Sequence, residues 1–253
     1  MKKLSRVEKK MRRRRFLFRL LLLMALIVTM FVLALNTDFF IIDNIKVLGS
    51  NKTSKDIIIS ASSITIGENQ FKISTSDGEK NIDKIPYVKE VKIKRKFPKG
   101  IIIEIIERKE LFQIKELSSF ALIDIDGYIL DIVSTENHIL PLINGYDIGD
   151  NKVGDNIFSE EENKGIIDFI LEGNNLSLLG KMKSIDLVDT NNVNFLLNES
   201  IIVAFGTLDD VKYKLNLLNE ILKDIEKKQI SCKMILMNKG DNPIIVLNDS
   251  EEG

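Results

Sequence analysis

A charge-free apolar run near the N-terminus constrains this chain more than any other feature. Residues 20–35 contain no charged side chain. Residues 16–18 extend the run if the stem of Arg19 lies along the apolar layer with its guanidinium at the interface. At about 1.5 Å per residue, a helix over residues 16–35 reaches about 30 Å, the thickness of a bilayer hydrocarbon core. The run therefore predicts one transmembrane helix over residues 16–35, after a basic tail over residues 1–15.

The charges beside this run predict its orientation. Residues 1–19 carry ten Lys and Arg residues against one Glu, and the remainder holds 26 basic and 36 acidic residues. Basic flanks stay in the cytoplasm, so the C-terminus is predicted to lie outside. The run ends without the pair of small residues that a signal peptidase requires, which favours a retained anchor. A basic cluster against an apolar run indicates anionic lipid rather than nucleic acid. The predicted membrane-orienting residues are Arg12, Arg13, Arg14 and Arg15.

The segment after the run predicts a strand and two short helices. Residues 39–47 form the predicted strand. Thr53 with Asp56, and Ser76 with Glu79, have the spacing of a capping box at a helix start. A proline soon after the second cap should close that helix.

A hairpin is predicted next. Residues 88–97 alternate between apolar and basic side chains, residues 97–100 form the turn, and residues 101–106 return. The whole segment then has the order β-α-α-β-β, which predicts a three-stranded sheet with two helices on one face. The predicted apolar positions of the hairpin are Val91, Ile93, Phe97, Ile101, Ile103 and Ile105.

A second unit is predicted to begin near Leu111. Asp126-Gly127 between two apolar runs is typical of a two-residue hairpin turn. Ser159 with Glu162 should cap a helix, and an apolar stripe over residues 207–228 predicts a second, amphipathic one. An acidic tail covers residues 248–253. The predicted strands of this unit are residues 120–125, 128–133, 185–187, 193–197, 201–205, 232–237 and 244–247.

Several motifs together resemble the FtsQ/DivIB family of bacterial cell-division proteins. The most specific stretch begins at Ile85-Pro86-Tyr87-Val88, continues through the alternating hairpin with Phe97-Pro98 at its turn, and ends at Glu107-Arg108. It is similar to the family's pattern of a proline, an alternating basic strand, an aromatic-proline turn and a Glu-Arg pair. Further similar segments are Ile45-Lys46-Val47-Leu48-Gly49, Ile66-Gly67-Glu68-Asn69, Leu122-Ile123-Asp124 and Leu140-Pro141.

The resemblance implies an α+β fold: a single N-terminal transmembrane helix, a POTRA domain over residues 40–108, and a larger mixed antiparallel β domain with helices over residues 111–247. It also implies a non-catalytic divisome scaffold at the division septum, which binds FtsL- and DivIC/FtsB-like bitopic proteins outside the cytoplasm by strand addition and helps to regulate septal peptidoglycan synthesis. The family's acidic-basic strand near the C-terminus is replaced here by residues 233–236. The partner-binding residues implied are Ile244, Ile245, Val246 and Leu247.

The residue inventory offers little for catalysis. His138 and Cys232 are the only histidine and cysteine, so one chain cannot build a Ser/His/Asp, Cys/His or multi-His site. Asp124-x-Asp126-Gly127 starts like a calcium loop but lacks the later ligands, which favours a turn. Glu104 and Glu107 could act on glycans, although solvation on an exposed strand is the simpler interpretation. No cofactor, metal or small-molecule substrate is predicted. The alternatives are another POTRA-containing membrane assembly or export component, and an extracytoplasmic cell-wall enzyme.

Overall fold

The computed structural model describes residues 6–158, 164–198, 200–240 and 242–248. A long helix, α1 (Arg6–Asn36), comes first. Its segment Met11–Asn36 is long and apolar enough to cross a membrane. The chain forms two compact units, and α1 belongs to the first of them.

The first unit contains a three-stranded sheet and two short helices. Its strand order is β1-β3-β2, with β1 parallel and β2 antiparallel to the central strand β3. The return strand of the predicted hairpin is therefore the centre of the sheet. The elements are β1 (Asn44–Leu48), α2 (Lys55–Ser62), α3 (Thr75–Ile82), β2 (Val88–Lys96) and β3 (Gly100–Glu107).

The core of this unit lies between the sheet and the helices. Ile103 has no exposed surface and pairs with Val47 on one side and Ile93 on the other. A Cβ added to Gly78 of α3 would lie 2.9 Å from the Ile93 side chain, so this helix packs closely on the sheet. Ile58 of α2 is also fully buried. The predicted alternation along β3 is confirmed, since Ile101, Ile103 and Ile105 are all buried.

Three local predictions for this unit are wrong. The strand begins at Asn44 rather than at residue 39, because residues 38–40 form a 3₁₀ turn. The cap of α2 is Ser54, whose hydroxyl accepts the Ile57 N–H at 3.3 Å. The cap of α3 is Ser74, whose hydroxyl accepts the Asp77 N–H at 3.3 Å. In both cases, a hydroxyl residue next to or near the predicted one has the extended backbone that a cap requires.

The second unit is built on one nine-stranded sheet with the order β12-β11-β10-β9-β8-β7-β4-β5-β6. Three neighbouring pairs are parallel: β4 with β7, β7 with β8, and β10 with β11. The strands are β4 (Phe112–Lys115), β5 (Phe120–Ile123), β6 (Ile129–Val133), β7 (Leu142–Asn144), β8 (Met182–Asp186), β9 (Val193–Leu197), β10 (Ile201–Gly206), β11 (Cys232–Leu236) and β12 (Ile244–Leu247). The helices are α4 (Lys164–Asn175) and α5 (Val211–Lys228).

An aromatic cluster lies in the core of this unit. The ring of Phe169 on α4 meets those of Phe195 and Phe205 at centroid distances of 5.6 and 5.3 Å. Leu215 and Leu218 of α5 are fully buried in the same core. The predicted apolar stripe of this helix therefore covers the sheet.

Four predictions for this unit differ from the structure or cannot be compared with it. The connection between β5 and β6 has five residues, because the Asp124 carboxylate accepts the N–H groups of Asp126 at 3.0 Å and Tyr128 at 2.8 Å and widens the predicted two-residue turn. β4 and β7 were not predicted. α5 begins four residues later than expected. The predicted cap formed by Ser159 and Glu162 lies outside the described residues.

Candidate partner-binding edge

The four residues predicted to bind a partner form β12, which lies at one end of the nine-stranded sheet. β12 pairs antiparallel with β11, and Ile245 lies opposite Ile235. No other strand pairs with β12 in the described part of the chain. One row of its backbone groups is therefore available for a further strand.

The direction of each N–H group along β12 follows from one contact at its end. The Asn248 N–H donates to the Ser231 carbonyl oxygen at 3.0 Å. N–H groups alternate in direction along a strand, and the register irregularity lies on β11 rather than on β12. The N–H of Val246 therefore faces β11, whereas those of Ile245 and Leu247 face the open edge.

All four side chains of β12 are exposed, with exposed fractions between 37% and 57%. By contrast, Ile235 on the neighbouring strand is fully buried. Exposed apolar edge strands promote pairing with other chains, and proteins usually protect them with charges, prolines or bulges. Pro243 immediately precedes β12 and has no N–H to donate. It limits the open ladder at the start of β12.

His138 and Cys232, the single histidine and cysteine of the chain, lie in different surroundings. The His138 side chain is 75% exposed and lies 3.4 Å from Glu136. Cys232 is buried, and burial raises the pKa of its thiol, which makes it a poor nucleophile. Within the described residues, no group of three His, Cys, Asp or Glu side chains could hold a metal ion.

Glu107 ties a loop to the end of β3. Its carboxylate accepts the backbone N–H groups of Asn51 at 2.8 Å, Lys52 at 3.0 Å and Thr53 at 2.9 Å. Partial burial raises the pKa of Glu107, but these three hydrogen bonds and a further one from the Thr53 side chain outweigh it and hold the pKa below its ordinary value. The interpretation of Glu107 as a solvated strand residue was therefore wrong, whereas Glu104 does form an exposed ion pair with Lys94.

Arg108 binds two carboxylates near the start of the second unit. Its guanidinium lies 2.7 Å from the buried carboxylate of Asp124 and 3.2 Å from that of Asp126. The same guanidinium stacks 3.7 Å from the centre of the Tyr128 ring. The segment that starts like a calcium loop thus pairs its acidic groups with an arginine, in agreement with the prediction of a turn.

The predicted membrane-orienting residues, Arg12 to Arg15, lie on α1 and are exposed. Successive residues of a helix are about 100° apart, so four consecutive arginines place positive charge around the whole circumference of the helix. The apolar residues of α1 follow immediately. These arginines and β12 belong to separate compact units.

Comparison with known proteins agrees with this architecture. The family described as "POTRA domain, FtsQ-type" matches residues 40–108, and that described as "Cell division protein FtsQ/DivIB, C-terminal" matches residues 113–236. Cell division protein DivIB from Clostridium botulinum strain Loch Maree is 30% identical over 248 residues, which cover 95% of each chain. The chain belongs to the FtsQ/DivIB family.

Other FtsQ/DivIB relatives show a similar extent of match. Cell division protein DivIB from Clostridium botulinum strain Hall is 29% identical over 95% of each chain. Cell division protein DivIB from Clostridium tetani is 31% identical over 83% of this chain and 78% of its own. The predicted fold class, a POTRA domain followed by a larger β domain after one N-terminal apolar helix, is confirmed.

Proposed function

We propose that this protein is a non-catalytic scaffold of the divisome. Outside the cytoplasm it binds FtsL- and DivIC/FtsB-like bitopic division proteins through β12, and it thereby helps to regulate septal peptidoglycan synthesis. Membership of the FtsQ/DivIB family supports the role in division. The observation that carries the partner site is the open, apolar edge of β12.

Strand addition fits the chemistry of this edge. A partner strand would accept hydrogen bonds from the N–H groups of Ile245 and Leu247, and these main-chain bonds would supply much of the affinity. The four exposed apolar side chains would lose contact with water on the same event. Because side chains alternate along a strand, they would also fix the register of the added chain.

A proline scan separates main-chain pairing from side-chain contact. Ile245→Pro removes an N–H that faces the open edge, a position at which edge strands tolerate proline. Ile245→Ala shortens the same side chain and keeps the N–H, so it is the matched control. Each variant of the soluble region after α1 is tested for capture of the DivIC-like protein encoded in the same genome, with amide hydrogen exchange of β11 as the measure of fold.

Strand addition predicts that Ile245→Pro loses capture with β11 still protected, while Ile245→Ala retains most of it. Undiminished capture by Ile245→Pro would refute a backbone ladder. Equal loss in both variants would instead assign the binding to the side chain. Val246→Pro should loosen β12 from β11, since the N–H of Val246 faces that strand. This variant therefore shows how far capture falls when the sheet itself is damaged.

The proposed topology places residues 1–15 in the cytoplasm, residues 16–35 in the membrane and residues 40–247 outside, with the protein concentrated at the septum. Arginines near a span bias its orientation because positive loops remain in the cytoplasm. A C-terminal reporter that is active only outside the cytoplasm should therefore work. Replacing Arg12, Arg13, Arg14 and Arg15 by Gln should lower the activity of the reporter. A silent reporter on the unaltered chain would show that the proposed orientation is wrong.

A further inference from the structure

An aromatic cluster lies beside the C-terminal end of α1. The ring of Phe40 meets those of Phe39 and Phe71 at centroid distances of 5.0 Å and that of Phe97 at 6.2 Å. These four are all of the phenylalanines between residues 37 and 107. The first unit therefore concentrates its large aromatic side chains at one place, outside the core between its sheet and helices.

This cluster is poorly buried. Phe39 and Phe97 are each 58% exposed, and Phe71 is also exposed. The contacts of Phe40 with the other three rings are edge-to-face and leave much of the ring surface in contact with the surroundings. Contiguous exposed aromatic surface of this kind marks a site of contact with another protein or a membrane.

Hydrogen bonds fix the cluster to the end of α1. The buried Asn69 amide donates to the carbonyl oxygens of Ala34 at 2.9 Å and Leu35 at 3.2 Å, two of the groups that a helix end leaves without a partner. The next residue, Gln70, donates its N–H to the Phe40 carbonyl at 3.0 Å and its side-chain amide to the Pro98 carbonyl. The cluster is thus held to α1 through both the 3₁₀ turn and the hairpin turn.

The few residues between α1 and the cluster limit how far from the membrane the cluster can lie. Phe39 and Phe40 follow α1 by three and four residues, and a 3₁₀ turn rises about 2 Å per residue. The interfacial layer on each side of the hydrocarbon core is about 5–8 Å thick. If α1 spans the bilayer to its last turn, the rings of Phe39 and Phe40 lie within reach of that layer. The rings of Phe71 and Phe97 lie 5.0 and 6.2 Å from that of Phe40.

The residues around the cluster carry both positive and negative charges. Lys72 lines a cavity with Leu35 at the helix end, beside Asp38 and Glu68. Lys96 lines a cavity with Phe97. Because both signs are present, transfer of apolar ring surface into the acyl boundary is the main attraction, with lysine stems lying along the same surface.

We propose that Phe39, Phe40, Phe71 and Phe97 insert into the interfacial layer of the outer leaflet, as a second membrane contact that holds the POTRA unit on the lipid surface. This inference rests on the proposed insertion of α1. The chain has no tryptophan, so a single introduced indole gives an unambiguous fluorescence signal from a chosen position. Phe97→Trp reports on the cluster. Ile106→Trp is the matched control, because Ile106 is also exposed, at 54%, but lies far from the cluster along the strand. It is six residues beyond Gly100, where β3 begins after the hairpin turn, which is about 20 Å at the usual strand rise.

The full chain is reconstituted in phosphatidylcholine vesicles with and without phosphatidylglycerol, in which the acyl chains are brominated near the carbonyl group. Flotation of the vesicles first tests insertion of α1 by itself. The proposal predicts that the indole of the Phe97→Trp chain emits at shorter wavelength and loses most of its emission to bromine, in both lipid mixtures. The indole of the Ile106→Trp chain should lose little. Phe39→Trp should behave like Phe97→Trp, which guards against local misfolding at one position.

Chains that float while the indoles of Phe97→Trp and Phe39→Trp escape quenching would overturn the lipid contact and leave membrane anchoring intact. Equal quenching in Phe97→Trp and Ile106→Trp would also overturn it, because proximity to the bilayer would then not depend on the cluster. The emission of the Phe97→Trp indole could instead shift to shorter wavelength as the amount of protein per vesicle rises, without quenching by brominated lipid. That result would mean that the cluster contacts a second copy of the chain and not the lipid. Failure to float would refute the anchoring on which the inference rests.

Discussion

Ile103→Ala is the sharpest test of the first unit, because Ile103 lies on the central strand with no exposed surface. The substitution removes three buried carbon atoms, and at about 0.8 kcal/mol per buried CH₂ the transfer term alone is about 2.4 kcal/mol. The cavity left between the sheet and the helices adds to this, so the free energy of unfolding should fall by about 2–5 kcal/mol. Ile106→Ala removes the same atoms from a side chain that is 54% exposed and should cost about 0.5 kcal/mol or less.

The assay is amide hydrogen exchange of β2 and β3 in the full chain, under conditions where exchange follows the opening equilibrium. Since each 1.4 kcal/mol is a factor of ten, Ile103→Ala should lower protection by about 30-fold to several thousand-fold. Ile106→Ala should change it by about twofold. A larger effect at Ile106 than at Ile103 would mean that the inward and outward faces of β3 are exchanged, and equal effects would refute the burial argument.

Three further predictions concern named contacts of both units. Because the pKa of Glu107 is lowered on folding, its stabilisation is complete above the ordinary carboxyl range and is lost as pH falls through the lowered pKa. Glu107→Gln should remove this pH dependence, measured by thermal melting across the acidic range. Asp124→Ala leaves the nearly buried Arg108 without its closest carboxylate and should cost about 3–5 kcal/mol in urea unfolding; a loss below about 1 kcal/mol would class the pair with surface ion pairs. Gly49→Ala should destabilise more than Gly67→Ala, since both glycines have positive φ but only at Gly49 would the new Cβ meet a carbonyl oxygen, at 2.0 Å; equal melting temperatures would contradict this.

Strict alternation and helical periodicity made the hairpin and α5 predictable from the sequence. Ile101, Ile103 and Ile105 share one face because side chains alternate along a strand, and the four-three spacing from Val211 onward shares one side of a helix. These patterns are local, so no knowledge of the rest of the fold was needed. The structure buries Ile93, Ile101, Ile103 and Ile105 of the hairpin and Val211, Leu215, Leu218 and Ile225 of α5. The prediction was wrong for Phe97, which lies at the hairpin turn and is 58% exposed.

Long-range contacts explain what the sequence did not reveal. Gln113 interrupts the apolar pattern of β4, yet it is fully buried because its amide exchanges hydrogen bonds with the backbone of Asn137 at 2.7 and 3.0 Å. Glu107 is likewise explained by a loop more than fifty residues away. No local sequence pattern indicates such distant hydrogen-bond partners. The position of β12 in the sheet also depends on strand order, since α5 carries the chain from β10 to a parallel β11 and so leaves β12 outermost.

The pairing of β1 with β3 has a consequence for how the chain matures. A chain is synthesised from its N-terminus, so β1 leaves the ribosome directly after α1, whereas residues 100–104, with which it pairs, come at the end of the unit. The sheet therefore cannot close around its central strand until almost the whole unit has been made. In that interval β1 has no ladder, and its exposed backbone is a substrate for chaperones and proteases. Early truncation anywhere before β3 should leave a tethered but unfolded chain rather than a smaller stable one.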